Sequence, residues 1–508
     1  MAVTTSTDRE DLEELVAHLG MRALSWLLNT DPADAASRIE GGAAATLSTA
    51  AEDVLGQLAM IDAGLRAQPQ TQVDAEARAR LQLPDWIGEQ WRFLLAKRHT
   101  TAEESVGNVC RRLSGGDLPV LPEDLPALDE LLARMAIEAY PAFLVGPGWE
   151  GTTSRISLHS HPLNEQFQEL ALADPILGAL FPNTSEQSGR WGKTLRSSGT
   201  GGGQQLWTFA DTLVAAGWRL ARALSGDPSG DELVAAVLQS FSTVKQATAG
   251  TPATVPARVG LAGVLLPRGV DSLEFGWGRL RRMDQRDEQF IRATRLQGQL
   301  TIAGPDGNNI AINYSGDLVL ELEVPYKVLI RDAESTDVWP ESLKEGGETL
   351  ATAIENVRLA LLLAVSEKRV IAAPSWQTML DPLTQGAGAA WWDVPSTPGL
   401  VPTQITEEEA GAWQEWTQRV AQLRIPGIAI AIRRLLAATS ERRSPDDVLV
   451  DAVIVWENLF GARTETTLRV TSALAWLLGT SPTDRLPGRP TSSGSTEPAA
   501  TSCTARQS

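Results

Sequence analysis

Residues 299–331 read QLTIAGPDGNNIAINYSGDLVLELEVPYKVLIR. They decide the fold class, because here the apolar pattern changes from helical spacing to strict alternation. In DLVLELEVPYKV (317–328), Leu318, Leu320, Leu322 and Val324 face one way, as in a strand with one side on a core. Upstream, Gly304-Pro305-Asp306-Gly307-Asn308-Asn309 carries the residues of a hairpin turn. The short apolar runs ARVGLAGVLLPRG (257–269) and DSLEFGWGRLRRM (271–283) extend the same signal. A small antiparallel β-rich domain is therefore expected over residues 255–340.

Both flanks read as helix. Residues 1–68 form a helical region in which Leu15, Leu19, Leu24, Leu27 and Leu28 recur near helical spacing. Asp31-Pro32 offers an N-cap followed by proline in the first turn, and Gly41-Gly42 ends the next helix. This helix, turn, helix arrangement resembles the helix-turn-helix of phage-repressor or Xre-type proteins, which would make 32–40 a DNA-reading helix. Its single base is Arg38, opposed by Asp34 and Glu40, so an ordinary helical hairpin is the plainer reading. Residues 69–250 are expected to be mostly helical, with amphipathic segments such as PDWIGEQWRFLLAKRH (84–99) and GDELVAAVLQSFSTVKQA (230–247). Gly199 and the run Gly201 to Gly203 lack both a following Gly-Lys-Ser/Thr and a clear preceding strand, so they read as a flexible loop rather than a phosphate loop. His159 and His161 have no third ligand beside them, and no metal or cofactor is expected. Residues 341–479 return to helix, and 480–508 are low-complexity Pro, Ser, Thr, Gly and Arg, expected to be disordered. The expected fold is mainly α and multi-domain: an N-terminal helical region, a middle antiparallel β-containing domain and a C-terminal helical bundle.

Composition sets outer limits. With 508 residues, two to four domains are the natural expectation. A net charge of −19 argues against a broad surface that coats nucleic acid. Two cysteines, Cys110 and Cys503, exclude a disulfide framework or a cysteine zinc cluster. The N-terminus has no signal-peptide pattern, and the most apolar run, LALLLAVSEKRVIAA, is interrupted by Glu367, Lys368 and Arg369. The chain thus reads as cytoplasmic, with no membrane partner.

The stretch IAIRRLLAATSERRSPDDVLVDAVIVWENLFGARTETTLRVTSALAWLLG (430–479) carries the functional signal. Arg434, Ala438 and Arg442 are followed by Asp447, Asp451, Ile454, Glu457 and Leu459, and then by Leu468, Ala473, Ala475, Leu477 and Leu478. This pattern resembles the ApeA-like branch of the HEPN superfamily, and LLPRGVDSLEFGWGRLRRMDQRDEQ (265–289) resembles the β-containing segment that precedes the module in that branch. The resemblance covers roughly residues 255–479. It implies a helical bundle that dimerises and acts on RNA in defence or toxin–antitoxin systems, many members being metal-independent ribonucleases. Their Arg-x4–6-His motif pairs a phosphate-holding guanidinium with a proton-transferring imidazole.

That motif is missing here. No histidine follows His161, and the tail holds only Arg485, Arg489 and Arg506. The tail composition is that expected of a GC-rich gene read out of frame, so a frameshift near residue 486 is one reading and a naturally disordered tail the other. Arg92 with His99, and Arg155 with His161, fit the loose motif elsewhere; spacing alone puts the first pair on one helical face. Asp451 and Glu457 are about 120° apart on a helix and form no acid/base pair by themselves. Asp446 and Asp447 suit the first turn of a helix, while Glu457, amid VIVWENLF, calls for a partner such as Arg434 or Arg469. Tryptophans such as Trp413, Trp416, Trp456 and Trp476 fit helix-face packing better than base stacking. The reading is a HEPN-like, RNA-related protein without nuclease activity, homodimeric through its C-terminal bundle, with Arg434, Arg442, Asp447, Asp451 and Glu457 as structural polar residues. The alternatives are a DNA-binding regulator of helix-turn-helix type using Arg38, or an interaction scaffold.

Overall fold

The computed structural model describes residues 9–40, 47–68, 86–146, 158–181, 194–197, 203–292, 299–303, 309–313, 316–329, 342, 344–365, 370–384, 389–391, 402–423, 427–442, 444–460 and 466–479. Its first part is helical where the apolar spacing and the caps agree. Helices α1 (Arg9–Leu19), α2 (Met21–Leu27), α3 (Pro32–Ile39) and α4 (Thr49–Arg66) come first. Asp31 accepts from Ala33 N at the start of α3, and Ser48 accepts from Ala51 N at the start of α4. Then follow α5 (Trp86–Ala96), α6 (Val106–Leu113), α7 (Ala127–Phe143), α8 (Pro162–Ala173), α9 (Phe209–Ser225) and α10 (Gly230–Thr248), the last opened by a full capping box from Ser229 and Glu232. Leu15, Leu24 and Leu58 share one hydrophobic core with Trp91, Leu132, Phe167, Phe209 and Val237. The division expected at residue 68 is therefore not a division of the core.

Two short strands interrupt this helical half, β1 (Thr194–Ser197) and β2 (Gly203–Gln205), paired antiparallel. The expectation that no strand precedes the glycine run is corrected: Gly203 opens β2, and Gly199, Gly201 and Gly202 lie outside the described residues.

The middle region carries β3 (Ala253–Ala262), β4 (Val264–Leu265), β5 (Ser272–Phe275), β6 (Gly278–Arg282), α11 (Glu288–Arg292), β7 (Gln299–Ala303), β8 (Asn309–Asn313), β9 (Leu318–Tyr326) and β10 (Val328–Leu329). Next come α12 (Glu345–Ala364), β11 (Ala373–Met379), β12 (Ala389–Trp391), β13 (Thr403–Gln404) and α13 (Glu407–Gln422). The main sheet has the order β12-β11-β3-β9-β6-β5 with antiparallel neighbours throughout. β7 and β8 pair as the hairpin expected around 304–309, whose tip lies mostly outside the described residues. On β9, Leu318, Leu320, Leu322 and Val324 pack into one core with α12 and α13, as the alternation requires. The other face is covered too: Val319 meets Leu220, Ala221, Phe290 and Trp376. Helices thus lie on both sides of this sheet.

Residues 341–479 are not helical throughout, as had been expected. β11 runs beside β3, from Ala373↔Ala262 to Met379↔Ala257, with a register shift at Pro374/Trp376. Both faces of this strand are largely buried, so it shows no clean alternation, and its partner lies more than a hundred residues upstream.

The chain continues into α14 (Ala429–Ser440), α15 (Pro445–Phe460) and α16 (Thr466–Leu478). Arg358 on α12 ties α14 to the sheet domain, donating to Ser440 Oγ at 2.5 Å and to Glu441 Oε1 at 3.0 Å. Among the described residues no helix is long and apolar enough to cross a membrane. Residues 480–508, with Cys503 and the altered-frame reading, lie outside the described residues.

Candidate functional site

The last helices bring three of the motif residues together. Helix α15 starts at Pro445, with Asp446 and Asp447 in its first turn, where carboxylates suit the helix dipole. Two turns in, Asp451 points back at α14 and is buried, its side chain 2 % exposed. Arg434 Nη1 donates to Asp451 Oδ1 at 2.9 Å, and Arg442 Nε donates to Asp451 Oδ2 at 2.6 Å. The hydrogen bond from Arg442, then that from Arg434, holds the Asp451 carboxyl below the usual carboxylate range despite burial. The same contact raises the Arg442 guanidinium. Asp447 and Glu441 add negative charge near Arg442, while both arginines stay partly exposed, at 43 % and 39 %.

Arg434 also faces a groove. This groove, of about 410 Å³, is lined by Ile430, Arg433, Arg434 and Ala437. Arg433 is exposed, and together with the outer face of Arg434 it can hold an anionic oxygen such as a backbone phosphate. Elsewhere on α15 and α16, Leu449, Val450, Val453, Leu468, Trp476 and Leu477 are exposed at 40 % or more.

The other candidates fall differently. Glu457 needs no buried cation, because its side chain is exposed and water solvates it. Asp447 is also exposed, one turn before Asp451, and adds to the field at Arg442. Arg92 and His99 do not share a helix face: α5 ends at Ala96, and the chain turns into a bridge between Arg98 and Ser105. His99 N donates to Glu104 O there, and Val106 N donates to Lys97 O, which lets Ser105 cap α6. Arg92 itself is buried and donates to Gly146 O at 3.2 Å. Arg155, the other loose match, lies outside the described residues. Arg38 is held by Glu52, donating through Nε at 2.6 Å and Nη2 at 3.0 Å, so its fork is already matched bidentately.

The histidines serve local structure. His161 is the N-cap of α8 and accepts from Leu163 N, while burial, then Arg98 and Arg134, lower its pKa. His159 lies edge-on to Trp207, with ring centroids 5.2 Å apart. His18 meets the buried Asp62 at 2.9 Å, and Asp62 also accepts from Trp91 Nε1 and Arg66 Nε. Among the described residues no three His, Cys, Asp or Glu side chains gather as metal ligands. The sequence did not single out Arg433, whose place in the groove depends on how α14 is rotated against α15.

No family model matches this chain, and no curated protein and no solved structure matches it either.

Proposed function

We propose that this chain is a HEPN-like protein of a defence or toxin-type system that binds RNA and associates with a second copy through α14–α16, without cleaving RNA itself. The observation that supports this reading most is the convergence of Arg434 and Arg442 on Asp451, separated in sequence yet joined at the positions where the HEPN-like pattern places its polar residues. In this reading the groove at Arg433 and Arg434 would take a phosphate backbone, and the exposed leucines and valines of α15 and α16 would form the face for a partner copy. The expectation of no cleavage rests on the missing Arg-x4–6-His motif, since no histidine occurs beyond His161 to move the 2′-hydroxyl proton as that motif would.

The test is binding of a labelled single-stranded RNA to the full chain, followed by anisotropy at several salt concentrations, with intact RNA verified afterwards. Binding that weakens with salt, and weakens further in Arg433→Glu, is the expected result. Failure to bind at low salt, or cleavage that survives repurification, overturns the reading. The helix-turn-helix alternative would instead show duplex DNA binding lost in Arg38→Glu.

A further inference from the structure

The first core carries a second cationic feature, far from the C-terminal helices in sequence. We propose that the cleft between the α2–α3 turn, α6, α7 and the α9–α10 turn is a receptor for a small oxyanion, a carboxylate or a phosphate, held by Arg111. The cleft is open to solvent, has a volume of about 620 Å³ and is lined by Trp26, Asn29, Arg111, Tyr140, Asp227 and Ser229, among others. That is room for a small molecule, not for a polymer groove.

Arg111 is fixed in position before anything binds. Its guanidinium lies over the Trp26 ring at 5.3 Å, Nη1 donates to Trp26 O at 2.8 Å, and Nε donates to Asp117 O at 3.2 Å. A guanidinium has five N–H donors, so these bonds leave most of the fork unused. Among the described residues Nη2 has no acceptor, and no carboxylate lies within ion-pair distance of this arginine. Burial accordingly disfavours its charge, with Asp117 and Tyr140 compensating only in part.

The acidic side chains of the same cleft already have partners. Asp31 caps α3 through Ala33 N at 2.8 Å. Glu232 closes the capping box of α10, accepting from Ser229 N at 2.6 Å. Asp227 is paired with Arg22, whose Nη2 also donates to Pro228 O at 2.9 Å. Tyr140 donates its hydroxyl to that same carbonyl at 3.1 Å, which fixes the opposite wall. Arg22 is thus neutralised and Arg111 is not. A planar fork with an open edge, pre-positioned on an aromatic ring, matches a carboxylate or phosphate head. The turn that resembles the middle of a helix-turn-helix forms one wall, with Asn29 in the left-handed region at φ 51°.

The test uses the full chain with inorganic phosphate and succinate as separate probes, each against sodium chloride of matched ionic strength. Thermal unfolding should shift upward and saturate with at least one probe, and phosphorus NMR should broaden if phosphate is the head group. Arg111→Gln should weaken binding about tenfold or more, the loss of a charge-assisted hydrogen bond. If that variant does not fold, Thr30→Glu, which places a carboxylate at the cleft and leaves the Arg111 bonds intact, should abolish the shift. A response to one probe alone identifies the head group. No shift beyond that of sodium chloride, or full binding retained in a folded Arg111→Gln or Thr30→Glu, overturns the proposal.

Discussion

The sheet domain and the C-terminal helices each set arginines on a buried carboxylate, and the two clusters have different consequences. On the sheet, Arg258 on β3 and Arg279 on β6 both lie level with Glu321 on β9. Arg281 joins Glu321 at 2.7 Å and reaches Asp287 at 2.7 Å, and Arg258 adds a contact to Asp287 at 3.0 Å. Arg258, Arg281 and Asp287 are all buried, so the centre of the cluster is closed to water, and only Asp284 and Arg279 at its edge are part-exposed. Burial alone would raise Glu321, but the hydrogen bond from Arg281 and the charge of Arg258 leave it lowered. At Asp451 the carboxylate is buried and the arginines are not. A sealed network holds layers together, whereas cations with an outer face in water can still receive a ligand.

The comparison is broken most directly at Asp287. Asp287→Ala leaves Arg258 with Glu321, and Arg281 with Glu321 and the part-exposed Asp284 at 3.4 Å, and it removes the acceptor for Asp284 N. Removing one partner from such a network costs about 3–5 kcal/mol. Chemical denaturation should show that loss, and a change below about 1 kcal/mol would mean that the network is not sealed.

A carboxylate with no arginine sharpens the contrast. Asp317 precedes β9, is partly buried, and accepts from Gly263 N at 3.1 Å. Burial pushes its pKa up to about 6, from an ordinary 3.8. A raised folded-state pKa means that stability is fullest below the unfolded value and falls as pH rises through the folded one. Asp317→Asn keeps the acceptor for Gly263 and should stabilise the chain at pH 7 by about 1–3 kcal/mol. Stability curves of the two proteins should converge below pH about 4, where the native carboxyl is protonated in both states. Equal stability at pH 7 would show that water reaches Asp317.

Asp451 gives the opposite sign and a smaller effect. Its folded pKa is lowered, so its pairing stabilises above the ordinary carboxylate pKa of 3.8 and is lost as pH falls through the folded value. Asp451→Asn should cost about 1–2 kcal/mol at neutral pH, since the half-exposed arginines are resolvated by water. It should also reduce the extra acid sensitivity of the C-terminal helices, seen by hydrogen exchange in α14 and α15. Unchanged exchange at both pH values would remove the triad as their link.

Parts of this architecture were legible in the chain and parts were not, for physical reasons. β9 could be read because its core face alternates with Glu321 and Glu323, which sit half-buried and exposed on the other side. β11 could not, because burial on both faces erases the period and its pairing with β3 is made across the fold. At the candidate site, Arg434 and Asp451 lie on adjacent helices and Arg442 in the short turn between them, but the sequence offered Arg434 as a partner for Glu457, because its place on Asp451 depends on how α14 packs against α15. Glu457 differs from the expectation: an apolar stretch suggested burial, but α15 presents that side to solvent, with exposed Val453 one turn before it. The Arg92–His99 pair failed for another local reason, since helical spacing means nothing once α5 ends at Ala96. The Arg111 cleft was not legible, because it joins turns far apart in sequence.

The smallest expected effect lies at the rim of the sealed network. Arg279 bonds Glu321 at 2.5 Å and Arg281 bonds it at 2.7 Å, yet the side chain of Arg279 is 44 % exposed where that of Arg281 is 5 % exposed. If geometry alone set the energy, the two would count equally. If solvent access sets it, Arg279→Ala should cost less than about 1 kcal/mol, while Arg281→Ala should cost about 3–5 kcal/mol by leaving Asp287 short of a buried partner. Denaturation of both variants, read beside the double variant Arg279→Ala/Glu321→Gln, separates the terms. Equal losses from the two arginines would show that the rim is as dry as the centre, and the difference drawn between the sheet and the C-terminal helices would then have to come from the ligand side alone.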